Sequence, residues 1–285
     1  MLHALLLTVL LAASDDVVVL GPLEKIATGF QFTEGPLWTA ETGLIFSDIP
    51  ADTIFRADQS VFRKPSGNSN GLAADREGRL IACEHGNRRV SRTEKDGVII
   101  TLADRYLGRR LNSPNDLAIR SDGRIFFTDP PYGVKPDDRE LPFCGVYSIA
   151  PDGTLTLLSV YFRSPNGLAF SPDEKTLYIG DSADDFIEAF DVSEEGRLGN
   201  ARFFAHVPTP DGMKVDSRGR LWVTAKDGVR VYNPDGSPAA TVAVPEQPSN
   251  CAFGDTGGET LYITARTSVY KALCAGSDET KGEKP

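Results

Sequence analysis

Pro165-Asn166-Gly167-Leu168-Ala169 recurs, with small changes, five more times along the chain. The other copies are Thr33-Glu34-Gly35-Pro36-Leu37, Ser69-Asn70-Gly71-Leu72-Ala73, Pro114-Asn115-Asp116-Leu117-Ala118, Pro210-Asp211-Gly212-Met213-Lys214 and Ser249-Asn250-Cys251-Ala252-Phe253. Their second positions, 34, 70, 115, 166, 211 and 250, lie 36, 45, 51, 45 and 39 residues apart. Units of that length with no 3.6-residue periodicity accommodate four short strands and variable loops. The repeat therefore predicts an all-β fold, a six-bladed β-propeller with four-stranded blades.

Each copy opens a hairpin. A short strand leads to a turn such as Asp75-Arg76-Glu77-Gly78 or Asp216-Ser217-Arg218-Gly219, where glycine supplies the positive φ, and then to a second strand. Leu44–Asp48, Leu80–Glu84, Ile125–Asp129, Leu177–Asp181, Leu221–Ala225 and Leu261–Ala265 are nearly continuous apolar runs, as strands buried between neighbouring sheets should be. The apolar segment from Val17 is expected to close the ring on the last blade and hide the sheet edges. No linker divides residues 15–276, which read as one propeller, and the polar residues 277–285 read as a disordered tail.

The apolar run Ala4–Ala13, followed by Ser14 and Asp15-Asp16, has the form of a secretory leader, so residues 1–14 are expected to be removed and the protein exported, periplasmic or secreted. That run is too short to span a bilayer. Thirty Lys plus Arg against 40 Asp plus Glu give a formal charge of -10, which opposes nucleic acid and anionic membranes as partners. Cys83, Cys144, Cys251 and Cys274 are too scattered for a zinc motif and read as buried thiols, with Cys251–Cys274 the alternative pairing.

A hairpin brings the chain back to the rim it left. Positions 34 and 48, 70 and 84, 115 and 129, and 211 and 225 are each 14 apart; 166 and 181, and 250 and 265, are 15 apart. One rim thus gathers Glu34, Asn70, Asn115, Asn166, Asp211 and Asn250 near the axis, beside Asp48, Glu84, Asp129 and Asp181. A recurring Asn also suits backbone capping at a strand entry. Glu34 and Asp211 are different, because carboxylates crowded on an axis repel, and a cation would relieve them. Carboxylate and amide oxygens suit calcium best, then magnesium or manganese. Zinc, the remaining possibility, prefers His or Cys, and only His85 and His206 follow the leader. No phosphate loop, dinucleotide fingerprint or serine-hydrolase elbow is present.

Phe32–Pro36, Ala82–Val90, Asn112–Leu117, Thr128–Gly133, Ser164–Leu168 and Pro210–Gly212 together resemble the gluconolactonase/regucalcin (senescence marker protein) family, in its bacterial gluconolactonase-like branch. The resemblance implies a six-bladed enzyme that opens lactones, with a divalent cation held by Glu34, Asn166 and Asp211, and Asn115 either ligating or touching substrate. It also implies that Asp116 contacts substrate. Ser113 stands where animal regucalcins carry Arg, so substrate preference need not be the animal one.

The corresponding chemistry is hydrolysis of a lactone, most naturally a sugar lactone, with the cation polarising the carbonyl and a carboxylate activating water. Asp211 is the first candidate for that base, with Asp116 and Asp129 as alternates. His85 is expected at the same rim, as a substrate-orienting or proton-shuttling group or as a histidine bonded to a neighbour. Tyr132-Gly133 and residues 134–143 are expected to form part of a lid. Organophosphate or aryl-ester hydrolysis at the same site, and a non-catalytic ligand-binding propeller, are the competing readings.

Overall fold

Six four-stranded antiparallel sheets follow one another along the chain in a computed structural model that describes Val19 and residues 21–274. Blade one comprises Thr33–Thr39, Gly43–Asp48, Thr53–Arg56 and Val61–Arg63. The inner strands of blades two to five are Ser69–Ala74, Leu117–Ile119, Pro165–Phe170 and Met213–Val215. Blade six combines Pro248–Gly254, Thr260–Ala265 and Ser268–Leu273 with the N-terminal strand Glu24–Thr28, which pairs antiparallel with Ser268–Leu273. That pairing closes the ring as expected, and Val19 extends it by a bridge to Cys274. The leader and the tail lie outside the described residues.

The predicted turns form for the reason given. At Asp75 the side chain accepts the Glu77 and Arg79 N–H groups while Gly78, at φ 76°, bonds back to the Asp75 carbonyl. Asp216 repeats this device with Gly219 and Arg220. Six apolar clusters hold the ring, each packed between two successive blades. Trp222, Val231, Leu261 and Tyr270 join blades five and six, and Phe46, Tyr262 and Val269 join six to one. All four cysteines are buried free thiols; Cys251 and Cys274 share the cluster between blades five and six, and burial pushes both to about 12.

Glycines in the repeat let the blades converge on the axis. Gly35 has φ +50°, and a Cβ there would lie 2.0 Å from the Asn70 carbonyl oxygen of the next blade. At Gly212 a Cβ would strike the Asn250 side chain. The blades are stitched at this level by Gly71 N–H to Asn115 O, Gly167 N–H to Asp211 O and Gly212 N–H to Ser249 O. The six repeat positions thus form one tier across the channel.

Candidate active site

Glu34, Asn70, Asn115, Asp116, Asn166 and Asn250 are each 2–5% exposed, so the tier is a buried polar layer. Asp211 is half-buried. Gly35 N–H and Asn250 Nδ2 donate to Glu34 Oε2 at 2.7 and 3.1 Å. The same Asn250 nitrogen donates to Asp116 Oδ2 at 3.2 Å, while Leu117 N–H donates to Asp116 Oδ1 at 2.9 Å. Asn250 completes its own bonding by accepting Cys251 N–H at 2.8 Å. It clamps two carboxylates from blades one and three.

Burial, then the nearby Asp211 and Asp116 charges, push the Glu34 carboxyl well above its usual range. Burial pushes Asp211 up to about 7; a hydrogen bond from Asn166 opposes this, Asp116 adds to it, and the charge of Arg266, beyond ion-pair distance, works to lower it. Neither Glu34, Asp116 nor Asp211 has a Lys or Arg ion-pair partner among the described residues. Asn166 Nδ2 also donates to Ser182 Oγ at 3.0 Å. The Asn115 side-chain amide makes no hydrogen bond among the described residues, although its backbone N–H donates to Thr128 O, and Asn70 Oδ1 is buried without a partner. No group of three or more His, Cys, Asp or Glu side chains with metal-binding geometry occurs among the described residues. The smaller donor set of two carboxylates with neutral amide oxygens nevertheless suits a hard divalent ion, whose charge would offset the repulsion.

The second-strand acids have a different task. Asp48 accepts the Gln31 and Phe32 N–H groups, Asp181 those of Arg163 and Ser164, and Asp129 that of Asn112 at 2.8 Å. Glu84 is held by Arg63, Arg89 and Ser91. Asp48, Asp129 and Asp181 thus anchor the loops that enter the inner strands, while Glu84 sits in a network of side chains. Asp129 is pushed to about 7 by burial, against the N–H groups of Asn112 and Ser113, and its charged neighbours are Arg88 and Arg139 rather than the axial acids.

His85 lies at the rim with Nε2 3.3 Å from Asn70 Nδ2, and burial lowers it to about 4, so it is neutral at neutral pH. A Cβ on Gly133 would collide with His85 and Ser113, which shows how closely the Tyr132-Gly133 turn sits on them. Ser113 pegs that turn, donating to the Pro130 carbonyl at 2.6 Å and accepting Gly133 N–H at 2.9 Å. Beyond it, Arg88 donates to Asp138 O and Arg110 N–H to Glu140, fastening the 134–143 insert to the blade two–three junction. Tyr132 is half exposed, but its hydroxyl approaches Ser182, Ser164 and Asn166, with Asp211 nearby.

Residues 32–267 match the family model described as the SMP-30/gluconolactonase/LRE-like region. The chain belongs to this family. It is 35% identical to a gluconolactonase of Zymomonas mobilis, over 88% of this chain and 80% of that one. It is 27% identical to chicken (Gallus gallus) regucalcin, over 83% of each chain. A gluconolactonase of Xanthomonas campestris superposes with a TM-score of 0.83 at 35% identity, covering 94% of this chain and 98% of that one. The repeat alone left two residues of this candidate site without a role. Asn250 read as one more tier amide and Tyr132 as part of a lid; the Asn250 bonds to Glu34 and Asp116, and the approach of Tyr132 to Ser182, Ser164 and Asn166, cross between repeats.

Proposed function

We propose that this chain is a divalent-metal-dependent lactonase acting on a small sugar (aldono-) lactone. The observation that carries the reading is the set of three carboxylates, Glu34, Asp116 and Asp211, packed at the axis with no basic ion-pair partner among the described residues. Lactone hydrolysis is supported by the similarity to two gluconolactonases. Calcium is the proposed ion, on the oxygen-only donor set, with magnesium, manganese or zinc as alternatives. Glu34, Asn166 and Asp211 would hold it, with Asn115 as a fourth oxygen donor or a substrate contact. When bound, the ion supplies electrophilic polarisation of the lactone carbonyl.

The chain's own residues do the rest. Asp211, half-buried, takes a proton from the attacking water. That proton passes to the ring oxygen as the C–O bond breaks, leaving a hydroxy acid. Asp116, oriented by Asn250 and Leu117 N–H, is the neighbouring carboxylate that meets substrate hydroxyls. Tyr132 and neutral His85 border the entry from the rim and orient the ring. Asp129 acts by holding the Asn112–Asn115 loop. The test is turnover of glucono-1,5-lactone and of aryl esters, with and without chelator. Chelator-sensitive lactone opening is expected; aryl-ester cleavage alone, or turnover indifferent to chelator, would overturn it.

A further inference from the structure

The fifth residue of each repeat copy has no place in the site just described. These residues are Leu37, Ala73, Ala118, Ala169, Lys214 and Phe253, and all six line one cavity of about 490 Å³. Each lies three positions beyond its tier residue on an inner strand, hence about 10 Å further along the channel at about 3.3 Å per residue. The cavity is therefore a lower vestibule, set off from the polar tier by Pro36, Leu72, Leu117, Leu168 and Ala252. Apart from Thr39, the remaining side chains of its wall are apolar, Trp38 and Phe170 among them.

Lys214 breaks the pattern. Five blades place an apolar residue at this position and blade five alone places a lysine, the only charged residue lining the cavity among the described residues. Its Nζ donates to the carbonyl of its own neighbour Met213 at 3.1 Å, and no carboxylate pairs with it among the described residues. An ammonium has three donors and the Met213 carbonyl accepts one, which leaves two for solvent or a ligand. The volume falls within the range of small-molecule sites, about 300–1,000 Å³.

We infer that the lower vestibule binds a small amphiphilic carboxylate, its single negative charge on Lys214 and its aliphatic body against the ring of apolar residues. One cation matches a monoanion; a dianionic headgroup would be left partly unpaired. A ring-opened sugar acid, with hydroxyls on every carbon, would desolvate them without partners, so this occupant is not the product of the rim site.

Octanoate is the probe. Calorimetric titration into the full protein should show saturable 1:1 binding, and tryptophan fluorescence should change in parallel through Trp38. Lys214→Met should weaken octanoate about tenfold, as loss of one charge-assisted contact does. Lys214→Arg should retain it, octan-1-ol should bind wild type and Lys214→Met alike, and lactone turnover should stay unchanged. Trp38→Phe should reduce the fluorescence change to whatever Trp222 reports through Phe253, while calorimetric binding persists. Absence of saturable binding or equal octanoate affinity in Lys214→Met would each overturn the assignment. Circular dichroism checks the fold of each variant, and Lys214→Gln replaces Lys214→Met if the latter misfolds.

Discussion

Replacing Glu34 by Gln separates a metal-site carboxylate from a structural one by giving opposite signs in two measurements. Asn250 Nδ2 lies 3.1 Å from Glu34 Oε2 and 3.2 Å from Asp116 Oδ2, so those oxygens are no more than about 6.3 Å apart. Two unit charges at that separation repel by about 2.6 kcal/mol at an effective dielectric constant of about 20. Gln keeps the size and the oxygen that accepts Gly35 N–H and Asn250 Nδ2, but removes the charge. Metal-stripped Glu34→Gln should therefore melt at or above the metal-stripped wild type. Wild type should gain about 2.7 kcal/mol when calcium reaches a hundredfold excess over its dissociation constant, and the variant should lose most of that gain. Lactone turnover should fall at least about a hundredfold, through loss of electrostatic stabilisation of the developing oxyanion. Thermal melts with and without calcium, calorimetric titration of the ion and a lactone assay give the three readouts. Asn250→Ala supplies the contrast: it leaves Cys251 N–H without its acceptor and should cost about 1–3 kcal/mol with or without metal. A Glu34→Gln protein with unchanged calcium affinity and full turnover would refute the reasoning, as would one that melts well below wild type when metal-free.

Tyr132→Phe should lower kcat/KM for sugar lactones about tenfold while leaving calcium affinity and melting temperature in place; equal loss on a lactone lacking ring hydroxyls would argue against an orienting hydroxyl. Gly35→Ala should destabilise by about 1–3 kcal/mol or prevent folding, because the added Cβ meets backbone 2.0 Å away, and a variant melting like wild type would show that the blades can part. At the ring closure, burial works to raise the Glu246 carboxyl, but hydrogen bonds from Ser268, Thr267 and Tyr270 outweigh it and hold it at about 2. A depressed carboxyl stabilises the fold above its ordinary value and loses that contribution as pH falls toward about 2. Glu246→Gln should thus lower the melting temperature at pH 7 and flatten its decline below pH 5, and parallel pH profiles for the two proteins would remove Glu246 from the account. Export predicts an N-terminus within a residue or two of Asp15 in protein from its native host; mass spectrometry that finds Met1–Ser14 intact in the cytoplasm would exclude it.

Blade number, hairpin turns and the ring-closing strand were legible in the sequence because each depends on local pattern. Asp75 and Gly78 fold their turn with atoms within four residues of one another, and the apolar second strands are buried wherever the repeat places them. The tier was legible as a set of six positions for the same reason, since a repeat maps equal sequence offsets onto equal places around an axis. What each tier residue does was decided only by the closed ring. Asn250 bonds Glu34 across 216 positions and Asp116 across 134, and no spacing rule connects those three. The acidic ends of the second strands show the converse. Asp48, Asp129 and Asp181 share the rim register of the axial acids, yet their side chains turn to backbone N–H groups of the incoming loops. Alternation along a strand sends neighbouring side chains to opposite faces, but whether a face looks onto the channel or onto a loop depends on how blades tilt and pack, and that is a property of the whole ring.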